Sequence, residues 1–335
     1  MKITAKAPCR VDLAGGTLDI WPLYLYHANA VTVNFAVNRY ASCVLETRPD
    51  SAIVLRSRDL GAEESFPSLD ALRSATRYRL PLVAYLVRFF APPTGIHLST
   101  DSEAPAGAGI AGSSTLIIAV SSALNRLTRA GYPLEKLREV AQNIEAQIIR
   151  VPTGCQDYYP AMYGGVSAIE LGPAGIVRKA IPVDLEDLNR RIVLAYTGEP
   201  RESGINNWEV TKAHIDGDRA VHRNFDRIAS IAHAMHDALE RADWDAAARL
   251  LREEWEHRRT NAPGITTPLI DRLVQVTRRR GAVGAKVCGA GGGGCVIFLV
   301  EPGAKSAVAE AIRRECAEVL DVSVAPRGVA VRQVP

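Results

Sequence analysis

A glycine loop followed by two serines is the first feature of this chain that could do chemistry. Gly107, Gly109 and Gly112 are separated only by small or apolar residues, and Ser113 and Ser114 stand where a helix is predicted to begin. Glycines let the backbone approach an anion closely, and the unpaired N–H groups of a first helical turn point toward it. The stretch therefore predicts a phosphate cradle.

Two familiar nucleotide-binding motifs fit this loop only in part. The glycines satisfy the G-x-G-x-x-G pattern of dinucleotide-binding folds, but Asp101, Glu103 and Pro105 separate them from the preceding strand, where that motif needs a tight turn. A P-loop has lysine at the position of Ser113. A flexible connection without a ligand is the remaining structural alternative.

Four charged side chains elsewhere could serve a phosphoryl-transfer site. Arg10 is a permanent cation at the end of a buried strand, and Asp19, after a double glycine, could accept from two vicinal hydroxyls. Asp157 could take a proton from a substrate hydroxyl, or it could simply cap the short helix that begins there. Glu145 could supply an oxygen ligand to Mg²⁺ or be a solvated helix-face carboxylate.

A second glycine-rich turn lies near the C-terminus, after Gly284-Ala-Lys286. Five of the six residues from Gly289 to Gly294 are glycine, which is more than a hairpin between two apolar strands needs. Such a turn lets another segment approach the backbone closely.

The hydrophobic pattern places these motifs on a mixed α+β chain. We predict strands at 3–13, 31–47, 52–57, within 166–183, at 190–196, within 283–300 and at 321–332, and helices at 68–90, 134–150, 218–260, 266–280 and 304–319. Pro81 is expected to start the second part of the first helical stretch. A domain boundary is expected near residue 185, giving domains 1–185 and 186–335.

Composition excludes several classes of protein. The 335 residues contain 40 basic and 37 acidic side chains, a balance that argues against a nucleic-acid or membrane partner. No apolar run approaches the ~20 residues that span a bilayer, and the six cysteines form no C-x-x-C pair. We therefore expect a cytoplasmic protein with free thiols.

Taken together, the three motifs resemble those of the GHMP kinase superfamily over nearly the whole chain. The details are similar to the sugar 1-kinases of the heptose 7-phosphate and fucose branch: R-V-D-L-A-G-G with Asp19, the loop ending in Gly112-Ser-Ser, and Gln156-Asp157 before a Gly-Gly pair. The resemblance implies a ribosomal-S5-like N-terminal domain and a ferredoxin-like C-terminal domain. Three features depart from the pattern: Ala111 replaces a glycine, residues 199–208 are atypical, and Cys155 adjoins the expected base.

The resemblance also implies roles for individual residues. ATP phosphates would be held by Pro105, Gly107, Gly109, Gly112, Ser113 and Ser114. Ser114 and Glu145 would hold Mg²⁺, Asp157 would orient or deprotonate the attacking hydroxyl, and Arg10 would keep Asp157 ionised. The substrate would contact Asp19, Gly15, Gly16, Gly291 and Gly292, with the 288–294 turn closing over the phosphate loop.

The acceptor remains open at this point. A heptose 7-phosphate is expected first, and a neutral fucose-like sugar, an isoprenoid or amino-acid alcohol, and a non-catalytic sugar or ATP sensor are the alternatives. Candidate anchors for a distal phosphate are Arg73, Arg77, Arg79, Arg201 and Lys212. Cys9 and Cys155 are expected to react with alkylating agents, because a nearby cation favours thiolate. The sequence assigns no oligomeric state.

Overall fold

The computed structural model describes residues 1–199 and 203–334, with twelve strands, eleven α-helices and one short 3-10 helix, Leu23–Tyr26, in that part of the chain. The strands are β1 Lys2–Ala14, β2 Val31–Thr47, β3 Ile53–Ser57, β4 Ala62–Phe66, β5 Ile96–Ser102, β6 Val166–Gly172, β7 Gly175–Ala180, β8 Ile192–Tyr196, β9 Ala282–Val287, β10 Cys295–Val300, β11 Glu318–Leu320 and β12 Ala330–Val334. The helices are α1 Leu69–Ser74, α2 Pro81–Phe90, α3 Gly112–Thr128, α4 Leu134–Ile149, α5 Tyr158–Tyr163, α6 Leu185–Arg191, α7 Ser203–Ile215, α8 Arg219–Glu240, α9 Trp244–Arg258, α10 Pro268–Arg278 and α11 Lys305–Arg314.

The first sheet is built around β1 and β2. Its strand order is β12-β1-β2-β5-β3-β4, and β6 with β7 continues from one end of β2. Side chains in the first half of β1 point alternately to the core and to solvent, but every residue from Ala7 to Ala14 is buried. That end of the strand is covered on both faces because α3 and α5 pack on it from the N-terminal half, and α8 and α9 from the C-terminal half. The charged residues of this segment are therefore placed in the interior.

The second sheet is antiparallel, in the order β11-β8-β10-β9. Helices α9, α10 and α11 pack on it, and α8 packs on α9. All six residues of β10 are buried, which explains its unbroken apolar sequence from Cys295 to Val300. Two mixed layers of helices and sheets confirm the α+β class.

Most predicted elements are present, with several differences at their edges. Strand β4 escaped prediction because its sequence, Ala-Glu-Glu-Ser-Phe, is mostly polar and only Ala62 is buried. Helix α7 was also missed, since it has no clear apolar periodicity. The final strand is β12, which pairs with β1 in the first sheet and overlaps the strand predicted at 321–332 only at 330–332. Strand β11 was not predicted, because the expected helix at 304–319 ends earlier, at Arg314. A boundary near residue 185 stays a prediction, and the end of the chain returns to the first sheet. No helix within 1–199 or 203–334 has the length and apolar character needed to cross a membrane.

Candidate active site

The glycine loop lies between β5 and α3 and opens into a cavity of about 860 Å³. Gly107 and Gly109 adopt φ of 68° and 78°, conformations that side chains disfavour. Helix α3 begins without a side-chain cap, so the first N–H groups of this 17-residue helix are available to a ligand. Every residue from Pro105 to Ser114 lines the cavity, an arrangement that suits a phosphate group.

Three hydroxyl groups converge on Glu145 at the start of α3. Ser113 donates to Oε1 at 2.7 Å, and Ser114 and Tyr158 donate to Oε2 at 3.0 and 2.5 Å. Burial raises the pKa of Glu145, while the hydrogen bonds from Tyr158 and Ser113 oppose that shift. The structure therefore brings the two predicted metal-binding residues, Ser114 and Glu145, together in a buried cluster of oxygen atoms.

Arg10 joins Asp157 to the phosphate loop. Its Nε and Nη2 lie 2.8 and 2.7 Å from Asp157 Oδ1, and its Nη1 donates to the carbonyl of Gly109 at 2.5 Å. Burial alone would lower the pKa of Arg10, but the carboxylates of Asp157 and Asp12 outweigh it and raise that pKa. Asp157 stands at the N-terminus of α5 and makes no capping hydrogen bond, so its side chain is not a helix cap. It remains 28% exposed, toward the cavity it lines.

Asp19 lies close to Asp157 and lines the same cavity. Its Oδ2 accepts from the backbone N–H of Gln156 at 2.8 Å, and the side chain is 3% exposed. Gly154 permits this approach, because a Cβ there would stand 2.0 Å from Asp19 Oδ2. Burial, followed by the negative charge of Asp157, raises the pKa of Asp19 to about 6.

A buried ionic cluster, defined here as Asp12, Glu254, Arg258 and Lys286, lies behind Arg10. Lys286 Nζ lies 2.5 Å from Asp12 Oδ2 and 4.0 Å from Glu254 Oε2, and Arg258 Nε donates to Glu254 at 2.8 Å. None of the four side chains is more than 5% exposed. Sequence reasoning gave these residues no role. The available signal was charge inside otherwise apolar stretches, Asp12 between Val11 and Leu13 and Lys286 in β9.

The C-terminal glycine turn approaches the phosphate loop as predicted, through its last residues. The N–H of Cys295 donates to Ala108 O at 2.7 Å, and a Cβ on Gly294 would stand 2.7 Å from that same oxygen. Gly289 and Ala290 line the cavity. Gly291 and Gly292 instead lie against Ile265, whose carbonyl accepts from the N–H of Gly292.

Only one residue of the N-terminal double glycine lines the cavity. Gly16 lines the cavity next to Asp19. Gly15 packs on β2, where a Cβ would stand 2.1 Å from the carbonyl of Val31. The structure thus brings most of the predicted site residues together and leaves Gly15, Gly291 and Gly292 outside the cavity lining.

The expectation of reactive thiols at Cys9 and Cys155 is wrong. Both side chains are fully buried. Burial raises the pKa of Cys9 to about 12 and raises that of Cys155 well above its ordinary value. The thiolate form that alkylation requires is therefore disfavoured, and the nearby cation does not compensate.

The proposed phosphate anchors are scattered. Arg79 lines the cavity near Leu60 and Leu80, on the side of α2 and the β3–β4 turn. Arg73 pairs with Asp70, and Lys212 pairs with Asp216, both at exposed positions. Arg77 is also exposed. Arg201 lies outside the described residues.

The geometry defines a phosphate-binding loop, a hydroxyl–carboxylate cluster and an Arg–Asp pair around one cavity, as a small-molecule kinase requires. Comparisons with known proteins agree. The model of the GHMP kinase N-terminal domain matches residues 77–165 and that of the GHMP kinase C-terminal domain matches 235–318, together just over half of the chain. The chain belongs to the GHMP kinase family and has its two-domain fold. It is a phosphotransferase that acts on an alcohol group, and membership implies ATP as the phosphoryl donor.

Several individual kinases are similar to this chain over most of its length. The chain is 28% identical to the D-glycero-alpha-D-manno-heptose 7-phosphate kinase of Campylobacter jejuni, with 98% of each chain covered. It is 25% identical to the L-fucokinase/L-fucose-1-P guanylyltransferase of Bacteroides fragilis over 91% of its own length, which is 35% of that relative. A crystal structure of a D-glycero-D-manno-heptose 1-phosphate kinase from Bacteroides thetaiotaomicron shares the fold, with a TM-score of 0.79, 23% identity and 99% of each chain covered.

Proposed function

We propose that this enzyme transfers the γ-phosphoryl group of ATP to a hydroxyl of a sugar or sugar phosphate, with a heptose 7-phosphate as the first candidate. The observation that carries the proposal is the contact of Asp157 with Arg10 beside the phosphate loop. The full-length likeness to a heptose 7-phosphate kinase supports the substrate class.

In the proposed reaction, the acceptor hydroxyl attacks the γ-phosphorus and the bond to the bridging oxygen of ADP breaks. Asp157 orients the hydroxyl and accepts its proton, since its carboxylate is held by Arg10 and still reaches the cavity. Arg10 presents a fixed positive charge to the transferring group. Asp19 accepts from sugar hydroxyls on the same side of the cavity.

The remainder of the cavity suits ATP. Backbone N–H groups of the loop and of the first turn of α3 would bind the phosphates. Apolar side chains from α2 and the β3–β4 turn, including Leu60, Leu82 and Val83, line the opposite side and would hold the adenine base.

The oxygen cluster fits Mg²⁺. Ser114 Oγ and Glu145 Oε2 are 3.0 Å apart and buried, and Mg²⁺ commonly binds through one or two protein oxygens, substrate phosphates and water. No group of three or more His, Cys, Asp or Glu suited to a metal occurs in the described residues. Bound there, Mg²⁺ would neutralise phosphate charge.

A neutral sugar is the second candidate, and one observation favours it. Of the cavity-lining arginines in the described part of the chain, the two on the Asp19 side are already engaged. Arg10 binds Asp157 and Gly109, and Arg258 binds Glu254 and the carbonyl of Gly16. A distal phosphate would need another cation.

ADP release with Mg-ATP across free sugars, sugar phosphates and mevalonate tests the acceptor class. We expect turnover with a sugar or sugar phosphate and none with mevalonate. Turnover restricted to mevalonate would overturn the proposal, and tight ATP binding with no turnover on any acceptor would indicate a sensor.

Replacing Asp157 with Asn tests the residue that carries the proposal. The variant should fold and bind ATP normally, while kcat falls about 10²-fold or more, the scale expected for a positioned general base. Asp184→Asn is the matched control, because Asp184 caps α6 through hydrogen bonds to Glu186 and Asp187 and lies outside the cavity lining. An unchanged kcat in Asp157→Asn would remove Asp157 from the chemistry.

A further inference from the structure

Asp12 contacts three parts of the site at once. Its Oδ1 accepts from the N–H of Gly289 at 2.8 Å and lies 3.5 Å from Arg10 Nη1, while its Oδ2 accepts from Lys286 Nζ at 2.5 Å. Arg10 and Gly289 both line the cavity, and Asp12 does not. One carboxylate thus joins the N-terminal arginine to the C-terminal glycine turn.

The charges around Asp12 make this arrangement costly to disturb. Asp12 and Lys286 are both 0% exposed, so each charge depends on its partners for compensation. Burial alone would raise the pKa of Asp12, but Lys286, Arg10 and Arg258 hold it well below the ordinary value. A carboxylate kept ionised in the interior can hold a guanidinium in one orientation.

The other contacts of Arg10 are with two residues that line the cavity. Nε and Nη2 face Asp157, which is partly exposed, and Nη1 faces Gly109 on the phosphate loop. Asp12 approaches Nη1 from the protein interior. Arg258 strengthens the same junction, because it donates to the carbonyls of both Gly16 and Gly289.

We propose that Asp12, with Lys286 as its counter-charge, is the positioning residue of the reaction centre: it fixes Arg10 against Asp157 and ties that pair to the C-terminal glycine turn. Asp12 acts through Arg10 and Gly289 and touches no substrate. The inference rests on the roles proposed above for Arg10 and Asp157. It predicts that loss of the Asp12–Lys286 pair lowers kcat more than it changes KM.

The test is the charge-neutral double variant Asp12→Asn, Lys286→Met. Removing both charges together avoids leaving one buried ion unpaired, so the fold is expected to survive. Arg10 loses its interior partner, and kcat should fall at least about 10-fold, because small misplacements of catalytic groups are costly. KM for ATP should stay within about twofold of the parent value, because the phosphate loop is unchanged.

A destabilised variant remote from the cavity provides the control. Phe298 is a fully buried residue of β10, so Phe298→Leu should lower the free energy of unfolding while kcat is retained. A folded double variant with parental kcat would overturn the proposal, as would a loss of kcat matched by Phe298→Leu. If the double variant does not fold, Asp12→Asn alone is measured by the same criteria, since Glu254 still offsets the charge of Lys286.

Arg10→Lys separates this inference from the proposed function. A lysine there keeps the charge but loses the planar fork that binds Asp157 and Gly109, so kcat should fall. Retained kcat in Arg10→Lys would refute the role of Arg10 itself. An impaired Arg10→Lys beside a fully active double variant would refute only the role of Asp12.

Discussion

Ala111 is the residue of the phosphate loop whose backbone conformation is least suited to its side chain. It precedes α3 with φ of 62° and ψ of 36°, in the left-handed region. L-residues pay roughly 1–2 kcal/mol for that conformation, and glycine does not. Ala111 stands where the similar loops have glycine, and its left-handed backbone is the source of this conformational cost.

We expect Ala111→Gly to raise the free energy of unfolding by about 0.5–1 kcal/mol, because relief of the strained backbone exceeds the entropy lost by a glycine. Urea denaturation measures the change. Ala108→Gly is the control in the same loop, because Ala108 has no positive φ and its buried methyl is lost, so stability should decrease. A lower stability for both variants would show that Ala111 is unstrained.

Site residues that belong to local motifs could be recognised from the sequence. The loop glycines, Ser114 and Arg10 were found because their neighbours along the chain define their chemistry. Asp12 and Lys286 lie within these motifs, but their contact joins residues 274 positions apart, so the sequence does not indicate a function for them. The same limitation explains Cys9 and Cys155: their burial depends on packing that a neighbouring cation does not reveal.

Among the elements, α7 connects the site to a cluster of histidines. Asn207 of α7 accepts from the hydroxyl of Thr17 in the cavity wall. Further along, His214 Nε2 lies 2.8 Å from His27 Nε2, and His27 Nδ1 lies 2.7 Å from Asp226. His222 of α8 stacks on His214 at 3.8 Å between ring centroids. The cluster joins the segment after Asp19 to α7 and α8.

His214 is held neutral in this cluster. Its Nδ1 is buried without a hydrogen-bond partner, so a proton there would have no acceptor. Burial, followed by the charges of His222 and His27, lowers the pKa of His214 from 6.5 to about 4, against the opposing effect of Asp226. The unfolded chain therefore binds more protons than the folded one between these two values.

We expect His214 to contribute a decrease in the unfolding free energy as pH falls from about 6.5 toward 4, opposite in sign to the contribution of Asp19, so His214→Gln should become more stable relative to the parent protein as the pH is lowered. Chemical denaturation at a series of pH values provides the measurement. His233→Gln is the control, because His233 is exposed on the neighbouring helix and should leave the slope unchanged. An identical slope in His214→Gln and the parent protein would contradict the assignment.

Prediction of elements succeeded where one face is clearly apolar. Helices α3, α4 and α8 and strand β10 were recognised from their buried residues, and Pro81 starts α2 as expected. The polar strand β4 and helix α7 were not recognised, because neighbouring segments hold them in place. Helix α7 matters most to function, since Asn207 lines the cavity.

Over the whole molecule, the candidate site is assembled from both halves of the chain. Arg10, Asp19 and Asp157 come from the first sheet and its loops, while Arg258 and Gly289 come from the C-terminal half. Motif order was enough to predict the family and the α+β fold. The return of β12 to the first sheet was not predicted, because a short terminal strand carries no signal of its partner.

Whether the site binds a phosphorylated sugar depends on a cation from elsewhere in the molecule, because Arg10 and Arg258 are already paired with carboxylates. Arg201, outside the described residues, stays the candidate anchor for a distal phosphate that the sequence suggests. On either side of it along the chain, the carbonyl of Glu199 accepts from the N–H of Gly294, and Asn207 lines the cavity. A bidentate Arg–phosphate contact contributes a few kcal/mol. Arg201→Ala should therefore raise KM for a phosphorylated sugar about 10- to 100-fold and leave the matched unphosphorylated sugar unaffected.

Steady-state kinetics on a heptose with and without its 7-phosphate provide the measurement, with Arg73→Ala as the control because Arg73 is exposed and paired with Asp70. If Arg201→Ala changes KM equally for both sugars, the residue does not read the distal phosphate. If it changes neither, while the parent enzyme prefers the unphosphorylated sugar, the neutral-sugar candidate replaces the heptose 7-phosphate. A selective loss for the phosphorylated sugar would explain how a cavity in which Arg10 and Arg258 are already engaged still accepts an anionic substrate.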